Sequence, residues 1–263
     1  MSLPAPVRLV DLSLPIRNES FDPQEQRIEY FDHRQVARGR AKAYGIQLDA
    51  LPLPGVHSAM ERVTLSTHAG THVDAPIHYG PTSEGKPART IDQMPLEWFY
   101  GPGVVLDFSD CAANYVIVPA DLEAALARID HRLSPGEIVL IRTDRWRDFD
   151  RPDFALRHPG MGREATLWLV ERGIRMMGTD GWGWDIPIPT MVEKLKAGNQ
   201  AAFFPGHYAG REREYCHAEK LARLDALPPT GFQVALFPVL IEGASGGWCR
   251  PVAFVPAEAS SRT

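Results

Sequence analysis

The sequence has few cysteines and no pattern that would use them together. Cys111, Cys216 and Cys249 are the only three in 263 residues, and none belongs to a Cys-x-x-Cys pair. A disulfide scaffold or a cysteine-based zinc site is therefore not what organises this chain. We interpret the cysteines as reduced thiols and expect a cytoplasmic protein, with a secreted protein carrying one disulfide as the alternative.

Several other features that would identify a protein class are absent. The most apolar segment, residues 232–241, contains Pro238 and is about half the roughly 20 residues that a membrane span needs. No signal-peptide pattern, internal repeat, Gly-x-Gly-x-x-Gly sequence or Walker sequence occurs. The net charge of −5 argues against nucleic acid or an anionic membrane as a partner. We expect a small-molecule substrate, and neither nucleic acid nor membrane.

Strand and helix patterns alternate through the middle of the chain. Apolar strands are predicted at residues 103–108, 137–142 and 175–180, with one helix starting at Pro119 and a second over residues 163–172. This alternation is typical of parallel βαβ units and an α/β fold.

The two ends of the chain differ from the middle. Residues 7–12 and 61–67 are also predicted strands. Pro-rich strands at both ends of the chain indicate an additional mixed or antiparallel β part. Residues 17–62 are polar and lack a clear period, so we interpret them as an excursion that covers a pocket or reaches a neighbouring subunit. A solvated loop without catalytic use is the alternative. No linker divides the chain, and we predict a single α/β domain over residues 1–263.

A histidine cluster is the most informative feature. Three of the nine histidines lie within residues 68–78, together with Asp74. Gly70 and Pro76 interrupt any helix there, so we expect the end of a strand that runs into a tight loop, with side chains converging on a pocket. Histidine and carboxylate are ligands for Zn²⁺ and, with harder character, for Mn²⁺ or Fe²⁺.

The full pattern resembles a known family signature. His-x-Gly-Thr-His-x-Asp-x-Pro-x-His, complete from His68 to His78, resembles that of the metal-dependent cyclase-family hydrolases, which include bacterial kynurenine formamidase and isatin hydrolase. Downstream, His207, Glu219 and the segment 227–232 resemble the family's distal His, its Glu-Asn-Leu-x-x-Leu and its Leu-Pro-x-x-Gly-Phe. Lys220 replaces the usual Asn. The resemblance covers most of the chain from about residue 63 and implies a swivelling β/β/α-like fold.

The resemblance also implies roles for these residues. His68, His72 and Asp74 would bind a metal ion, and His78 would act as general acid and base. The ion would be Zn²⁺, one or two per chain, or Mn²⁺. A homodimer or higher homo-oligomer is also implied.

The two distal residues leave the number of ions open. In two-zinc members Asp74 would bridge the metals, and His207 with Glu219 would hold the second ion. In the single-manganese, isatin-hydrolase-like arrangement His207 belongs to a proton path. The presence of both residues favours two ions. His217 competes for such a role, but we expect it to lie on a different face from Glu219 if this segment is a helix.

The expected activity is hydrolysis of a small amide, with an arylformamidase-like reaction as the first choice. Isatin, a lactone or another cyclic amide or ester is the alternative substrate. A non-hydrolytic metal-dependent cyclase, or a metal-bound binding protein without catalysis, represents a different class of function.

One aromatic segment is a candidate substrate wall. Asp180 ends a predicted strand, where side chains often face the site in α/β folds. Trp182 and Trp184 follow it, and we predict that all three residues contact the substrate. The alternative is that both tryptophans lie in the core or at a subunit interface.

Overall fold

The computed structural model describes residues 6–257 of the chain. The strands in that part are β1 (Val7–Asp11), β2 (Gln26–Phe31), β3 (Met60–Leu65), β4 (His72–Asp74), β5 (Thr82–Ser83), β6 (Lys86–Pro87), β7 (Tyr100–Asp107), β8 (Val116–Ile117), β9 (Ile138–Arg142), β10 (Gly160–Met161), β11 (Met176–Thr179), β12 (Cys216–Glu219), β13 (Phe232–Ala235), β14 (Gly246–Trp248) and β15 (Val252–Pro256). The α-helices are α1 (His33–Tyr44), α2 (Pro76–Tyr79), α3 (Pro119–Arg128), α4 (Arg163–Glu171), α5 (Ile188–Lys196) and α6 (Pro205–Glu212). Short 3-10 helices lie at Leu48–Ala50, Ile91–Gln93, Leu96–Trp98, Arg145–Asp148, Phe154–Leu156, Gln200–Ala202 and Leu224–Ala226. No helix among residues 6–257 has the length and apolar character that crossing a membrane requires.

Four parallel strands, β7, β9, β11 and β12, form the middle of a nine-stranded sheet. In the chain α3 connects β7 to β9 and α4 connects β9 to β11. Pro119 is the first residue of α3, and the Asp121 carboxylate accepts a hydrogen bond from the backbone N–H of Val118 at that end. These are the βαβ units that the sequence predicts.

Antiparallel strands extend this sheet in both directions. β13, β15 and β1 follow β7 on one side, and β4 and β14 follow β12 on the other. The predicted fold class, α/β with parallel βαβ units and an additional mixed or antiparallel part, is therefore confirmed. That the chain forms a single domain stays a prediction.

The core fills both faces of the sheet. Along β9, Ile138 and Leu140 face one apolar cluster, and Val139 and Ile141 face a second cluster that α3 and α4 cover. A strand covered on both faces is apolar at every position, which is why residues 138–141 form an unbroken apolar run instead of an alternation.

The excursion has more regular structure than its sequence indicates. β2 and β3 pair with each other in a two-stranded sheet separate from the nine-stranded one, and α1 lies between them in the chain. The predicted strand at 61–67 is present as β3, but it does not join the sheet that carries the histidine motif. The helix was missed because only Val36, Ala37 and Ala41 of α1 are buried.

Candidate metal centre

Two neighbouring antiparallel strands, β4 and β12, carry the middle of the site. Their register places Asp74 opposite His217 and His72 opposite Glu219. Side chains alternate along each strand, so these four lie on one face, while the residue between each pair points into the apolar core. The predicted strand at the histidine motif is present, and Pro76 then begins the short helix α2 that carries His78.

The interpretation of His217 from the sequence is wrong. It assumed a helix, whereas Cys216–Glu219 is a strand, in which residues two apart share a face. His217 is fully buried, and its Nε2 lies 3.3 Å from Glu219 Oε1. The sequence contained a signal for this, because β4 and β12 share the pattern of a histidine followed two residues later by a carboxylate.

Asp74 brings the residues of the histidine motif together. Its Oδ1 lies 2.7 Å from His68 Nδ1 and 3.1 Å from His72 Nε2. Its Oδ2 lies 3.7 Å from His78 Nε2. Burial acts to raise the pKa of the Asp74 carboxyl, but the surrounding imidazoles, His78 foremost, hold that pKa well below its usual value. The carboxylate is therefore ionised.

The distal residues lie on the other side of the same carboxylate. Asp74 Oδ2 is 3.1 Å from His217 Nε2 and 3.6 Å from His207 Nε2. Glu219 Oε1 is 3.3 Å and 3.7 Å from the same two nitrogens, and its Oε2 is 3.8 Å from His72 Nε2. The structure thus brings all five predicted metal ligands and His78 into one cluster.

Second partners hold two of the imidazoles so that their Nε2 atoms face this cluster. His72 Nδ1 lies 2.8 Å from the Gly70 carbonyl oxygen, to which it donates. His207 Nδ1 is hydrogen-bonded to the Asp185 carboxylate, which also accepts from the backbone N–H of His207. Metal-binding histidines are usually oriented in this way, through the nitrogen that does not bind the ion. Asp185 was not predicted, since a single aspartate after the tryptophan segment carries no sequence signal.

Two buried atoms in the cluster lack a hydrogen-bond partner among the described residues. They are His72 Nε2 and Asp74 Oδ2. A buried polar atom without a partner costs about 1–3 kcal/mol, and a charged one costs more. A divalent cation among these donors would satisfy both atoms, and imidazole with carboxylate suits Zn²⁺ or Mn²⁺. The cluster therefore fits the predicted metal cofactor, whose identity stays a prediction.

His78 is the most exposed histidine of the cluster. Its side chain is 34% exposed, and its ring stacks on that of His68 with centroids 4.0 Å apart. Burial lowers the pKa of His78 to about 4, and the attraction of the Asp74 carboxylate only partly opposes this. His78 is therefore neutral at neutral pH and able to accept a proton, as the predicted general base must.

A cavity of about 170 Å³ opens beside the cluster. One wall is polar and includes His68, His78, His207 and Glu219. The apolar part of the lining includes Trp182, Ile186, Ile188, Met191 and Phe204. Polar groups that converge beside an apolar wall are typical of a small-molecule site.

The two tryptophans occupy different positions. Trp182 is partly exposed and lines the cavity. Trp184 also borders the cavity, but its side chain is fully buried and stacks on the His217 ring with centroids 5.1 Å apart. Its backbone N–H donates to Glu219 Oε1 over 2.7 Å. Trp184 thus packs behind the cluster and supports it.

Asp180 does not reach the cavity. Its Oδ1 accepts hydrogen bonds from the backbone N–H and the hydroxyl of Thr143, each over 2.6 Å. Its Oδ2 accepts from the backbone N–H of Asp144 over 2.9 Å. Both oxygens therefore accept hydrogen bonds from the turn that follows β9. The structure gives no support to the predicted substrate contact of Asp180.

The excursion contributes to the site through one aspartate that was not predicted. Asp22 Oδ2 accepts from the Gly70 backbone N–H and the Lys220 ammonium group, each over 3.0 Å. Asp22 Oδ1 accepts from Trp182 Nε1 over 3.1 Å, and the nearby Gln24 lines the cavity. An isolated aspartate in a polar segment gives no sequence signal for such a role.

Comparisons with known proteins agree with this geometry. A kynurenine formamidase from Bordetella petrii is 36% identical over 127 residues, which cover 46% of this chain and 51% of that protein. An isatin hydrolase from Roseibium aggregatum is 29% identical over 213 residues, 77% of each protein. The structure of isatin hydrolase A from Ralstonia solanacearum shares the fold, with a TM-score of 0.74 and 24% identity over 95% of this chain and 92% of that one.

The family itself is shown by a longer match. The sequence profile of the family described as "Putative cyclase" matches residues 10–186, which include the whole histidine motif. The resemblance noted from the sequence is therefore confirmed, and this chain belongs to the Cyclase family.

Proposed function

We propose that this protein is a metal-dependent hydrolase that cleaves the C–N bond of a small amide, in the manner of an arylformamidase. The observation that carries the proposal is the pair of unpartnered buried atoms, His72 Nε2 and Asp74 Oδ2, inside a histidine–carboxylate cluster that borders a cavity. A carbonyl group in that cavity would lie next to His78, whose neutral imidazole can accept a proton.

The predicted ligands would divide between two positions. His68, His72 and Asp74 Oδ1 would hold one ion, and His207 with Glu219 would hold a second, with Asp74 shared. When bound, such an ion polarises a carbonyl oxygen and lowers the pKa of water from 15.7 to about 7. We expect Zn²⁺ or Mn²⁺.

The protein's own contribution to the reaction is proton transfer and positioning. His78 takes a proton from water and returns it to the leaving nitrogen, because its imidazole is neutral and its side chain reaches the cavity. The Asp74 carboxylate, 3.7 Å from His78 Nε2, stabilises the imidazolium that forms between these two steps.

The apolar wall favours an aryl substrate. Trp182 and Phe204 line the same cavity as the histidines, and aromatic side chains pack well against an aryl ring. N-Formyl-kynurenine is the first candidate, because several relatives are kynurenine formamidases. Isatin is the second candidate, because the relative that aligns over 77% of this chain is an isatin hydrolase. Lactones and other cyclic amides belong with isatin.

The remaining assignments follow from the same family. We propose a small-molecule substrate as the only partner class, a homodimer or higher homo-oligomer, and a cytoplasmic location. The three cysteines are free thiols, consistent with a reducing compartment.

Turnover with and without metal tests the proposal. Metal-loaded protein should release formate from N-formyl-kynurenine or open the ring of isatin, and a chelator should abolish the activity reversibly. In ¹⁸O-labelled water one labelled oxygen should enter the product. Turnover without label would indicate a non-hydrolytic cyclase, and turnover unaffected by metal removal would contradict the proposal.

A further inference from the structure

His217 has no place in the ligand assignment carried over from the sequence motif. Yet it is the most deeply buried of the clustered imidazoles, with a side chain that is 0% exposed. Its ring stacks on Trp184 and on Tyr79, at centroid distances of 5.1 Å and 5.4 Å and nearly parallel to both. These two contacts fix the plane of the ring and point Nε2 at the carboxylates.

The other ring nitrogen of His217 is also held. Nδ1 lies 3.0 Å from the Tyr79 hydroxyl oxygen, and that hydroxyl donates to the Asp74 backbone carbonyl over 3.3 Å. A tyrosine hydroxyl keeps its proton at neutral pH. With that proton directed at the carbonyl, His217 Nδ1–H donates to the tyrosine oxygen and leaves the Nε2 lone pair facing Asp74 and Glu219.

The four donor atoms that meet there have the spacing of a metal site. Each of the two nitrogens, His207 Nε2 and His217 Nε2, lies 3.1–3.7 Å from Asp74 Oδ2 and Glu219 Oε1. All four atoms lie within 4.8 Å of one another. Donors bound at about 2.0–2.2 Å around a tetrahedral ion would be roughly 3.3–3.6 Å apart.

Charge and hydrogen bonding also point to a cation. Two buried carboxylates meet at this position, and Asp74 Oδ2 has no hydrogen-bond partner although His217 Nε2 is 3.1 Å away. A proton on His217 therefore does not satisfy that oxygen. A divalent cation would neutralise both carboxylates and use both nitrogen lone pairs.

We infer that His217 is a ligand of the inner metal ion, completing a closed set of four protein donors with Asp74, His207 and Glu219. Resting on the proposed function, this makes the two positions unequal. The inner ion has no open coordination position and exchanges slowly. The outer ion, held by His68, His72 and Asp74, keeps a position open toward the cavity, as a catalytic ion does.

Zinc stoichiometry tests the inference without reference to activity. Metal-free protein is reloaded with Zn²⁺, freed of unbound ion by gel filtration and analysed for zinc per chain before and after a short exposure to a chelator. The wild type should bind two ions and keep one. His217→Leu, which fills the stacked slot with an apolar side chain, should bind one and keep none. Inner-ion affinity should fall by more than the roughly 10–100-fold that loss of an outer-shell partner costs.

Replacement of another buried histidine provides the matched control. His158→Leu removes an imidazole that lies outside both donor sets, and it should leave both ions bound. Equal zinc content and release rates in His217→Leu and the wild type would overturn the inference while leaving the proposed function intact. A wild type that binds neither Zn²⁺ nor Mn²⁺ would overturn both.

Diffraction keeps the inference testable if His217→Leu does not fold. Crystals of the zinc-loaded wild type should show an anomalous peak about 2.0–2.1 Å from His217 Nε2, the usual zinc–nitrogen distance. A zinc peak beside His68 and His72 with none beside His217 would contradict the inference.

Discussion

β4 and β12 carry the same short pattern but perform different tasks. Each has a histidine followed two residues later by a carboxylate, and their antiparallel register places each histidine opposite the other strand's carboxylate. β4 is flanked by His68 and His78, whose side chains are 16% and 34% exposed at the cavity, whereas His217 of β12 is fully buried. The residues beside β4 thus present the candidate base to the cavity, whereas β12 contributes Glu219 to the lining and keeps His217 buried.

This difference shows what a repeated donor pattern needs before it can perform chemistry. Both strands supply the same ligand types, but only β4 continues into a turn and a short helix that brings a neutral imidazole to the cavity. On β12 the His217 ring stacks on Trp184 and Tyr79, with centroids 5.1 Å and 5.4 Å away, and His217 does not line the cavity. Identical donors therefore become catalytic or structural according to what packs beside them.

The largest effect should come from the carboxylate that both strands share. In Asp74→Asn one oxygen becomes a neutral amide and the charge that holds the imidazoles around it disappears. We expect bound metal to fall to near zero and turnover to fall by roughly 10³-fold or more, the value of several kcal/mol of lost electrostatic stabilisation. Metal content and kcat/KM of the variant measure this.

The control is the buried aspartate that lies outside the cluster. Asp180→Asn weakens hydrogen bonds to Thr143 but should leave metal content unchanged, because no oxygen of Asp180 faces the cavity. If Asp74→Asn kept the wild-type metal content, the central position of Asp74 would be refuted.

The second largest effect should be a loss of turnover without a loss of bound metal. His78→Ala removes the proposed base and leaves the proposed ligands His68, His72 and Asp74 in place. Turnover should fall by about 10²–10⁴-fold with metal content unchanged. The control variant His131→Ala, which breaks a partly buried contact with Glu137 outside the cluster, should retain full activity. Normal turnover of metal-loaded His78→Ala would remove His78 from the mechanism.

The third effect concerns the ion pair that ties the two strands together. Lys220 directly follows β12. Its ammonium group donates to the carbonyl oxygen of His68, which precedes β4, and forms an ion pair with Asp22 of the excursion. Both side chains are essentially unexposed. Lys220→Met leaves the Asp22 carboxylate buried without its cation, so the metal-free protein should lose about 3–5 kcal/mol of unfolding free energy.

Chemical denaturation measures that loss, with an exposed ion pair as control. Glu212→Gln breaks the ion pair between Arg163 and Glu212, whose side chains are 42% and 49% exposed, respectively. This should lower the unfolding free energy by less than about 1 kcal/mol. Equal losses of unfolding free energy in the two variants would show that the Asp22–Lys220 pair does not stabilise the packing of the excursion on the histidine motif.

Lys220 also shows what a departure from the family pattern costs. Its φ is 56°, a left-handed conformation that asparagine, the usual residue in this family, adopts more readily. Lys220→Asn should relieve backbone strain of about 1–3 kcal/mol but lose the pairing with Asp22. We therefore expect a smaller loss of stability than in Lys220→Met.

Much of the site could be predicted because its donors follow local rules. The motif around Asp74 is contiguous, and the alternation of strands and helices gave the parallel sheet. His217 was misjudged because Cys216–Glu219 is only four residues long, too short for its period to distinguish a strand from a helix. Asp180 was misplaced because the end of a strand does not determine which neighbouring donors its side chain meets.

Contacts between distant segments could not be predicted from one sequence. Asp22 and Asp185 act through partners such as Gly70 and His207, which only the folded chain brings near them. α1 was missed because few of its side chains are buried, although Asp32 at its start and Gly45 at its end are typical helix caps.

Metal content per chain, measured by elemental analysis on protein purified without added metal, tests the proposed centre most directly. We predict one to two equivalents of zinc or manganese, with the second position filled on reloading. Absence of bound metal both as purified and after reloading with Zn²⁺ or Mn²⁺ would contradict the assignment of His68, His72 and Asp74 as ligands, and with it the proposed hydrolase.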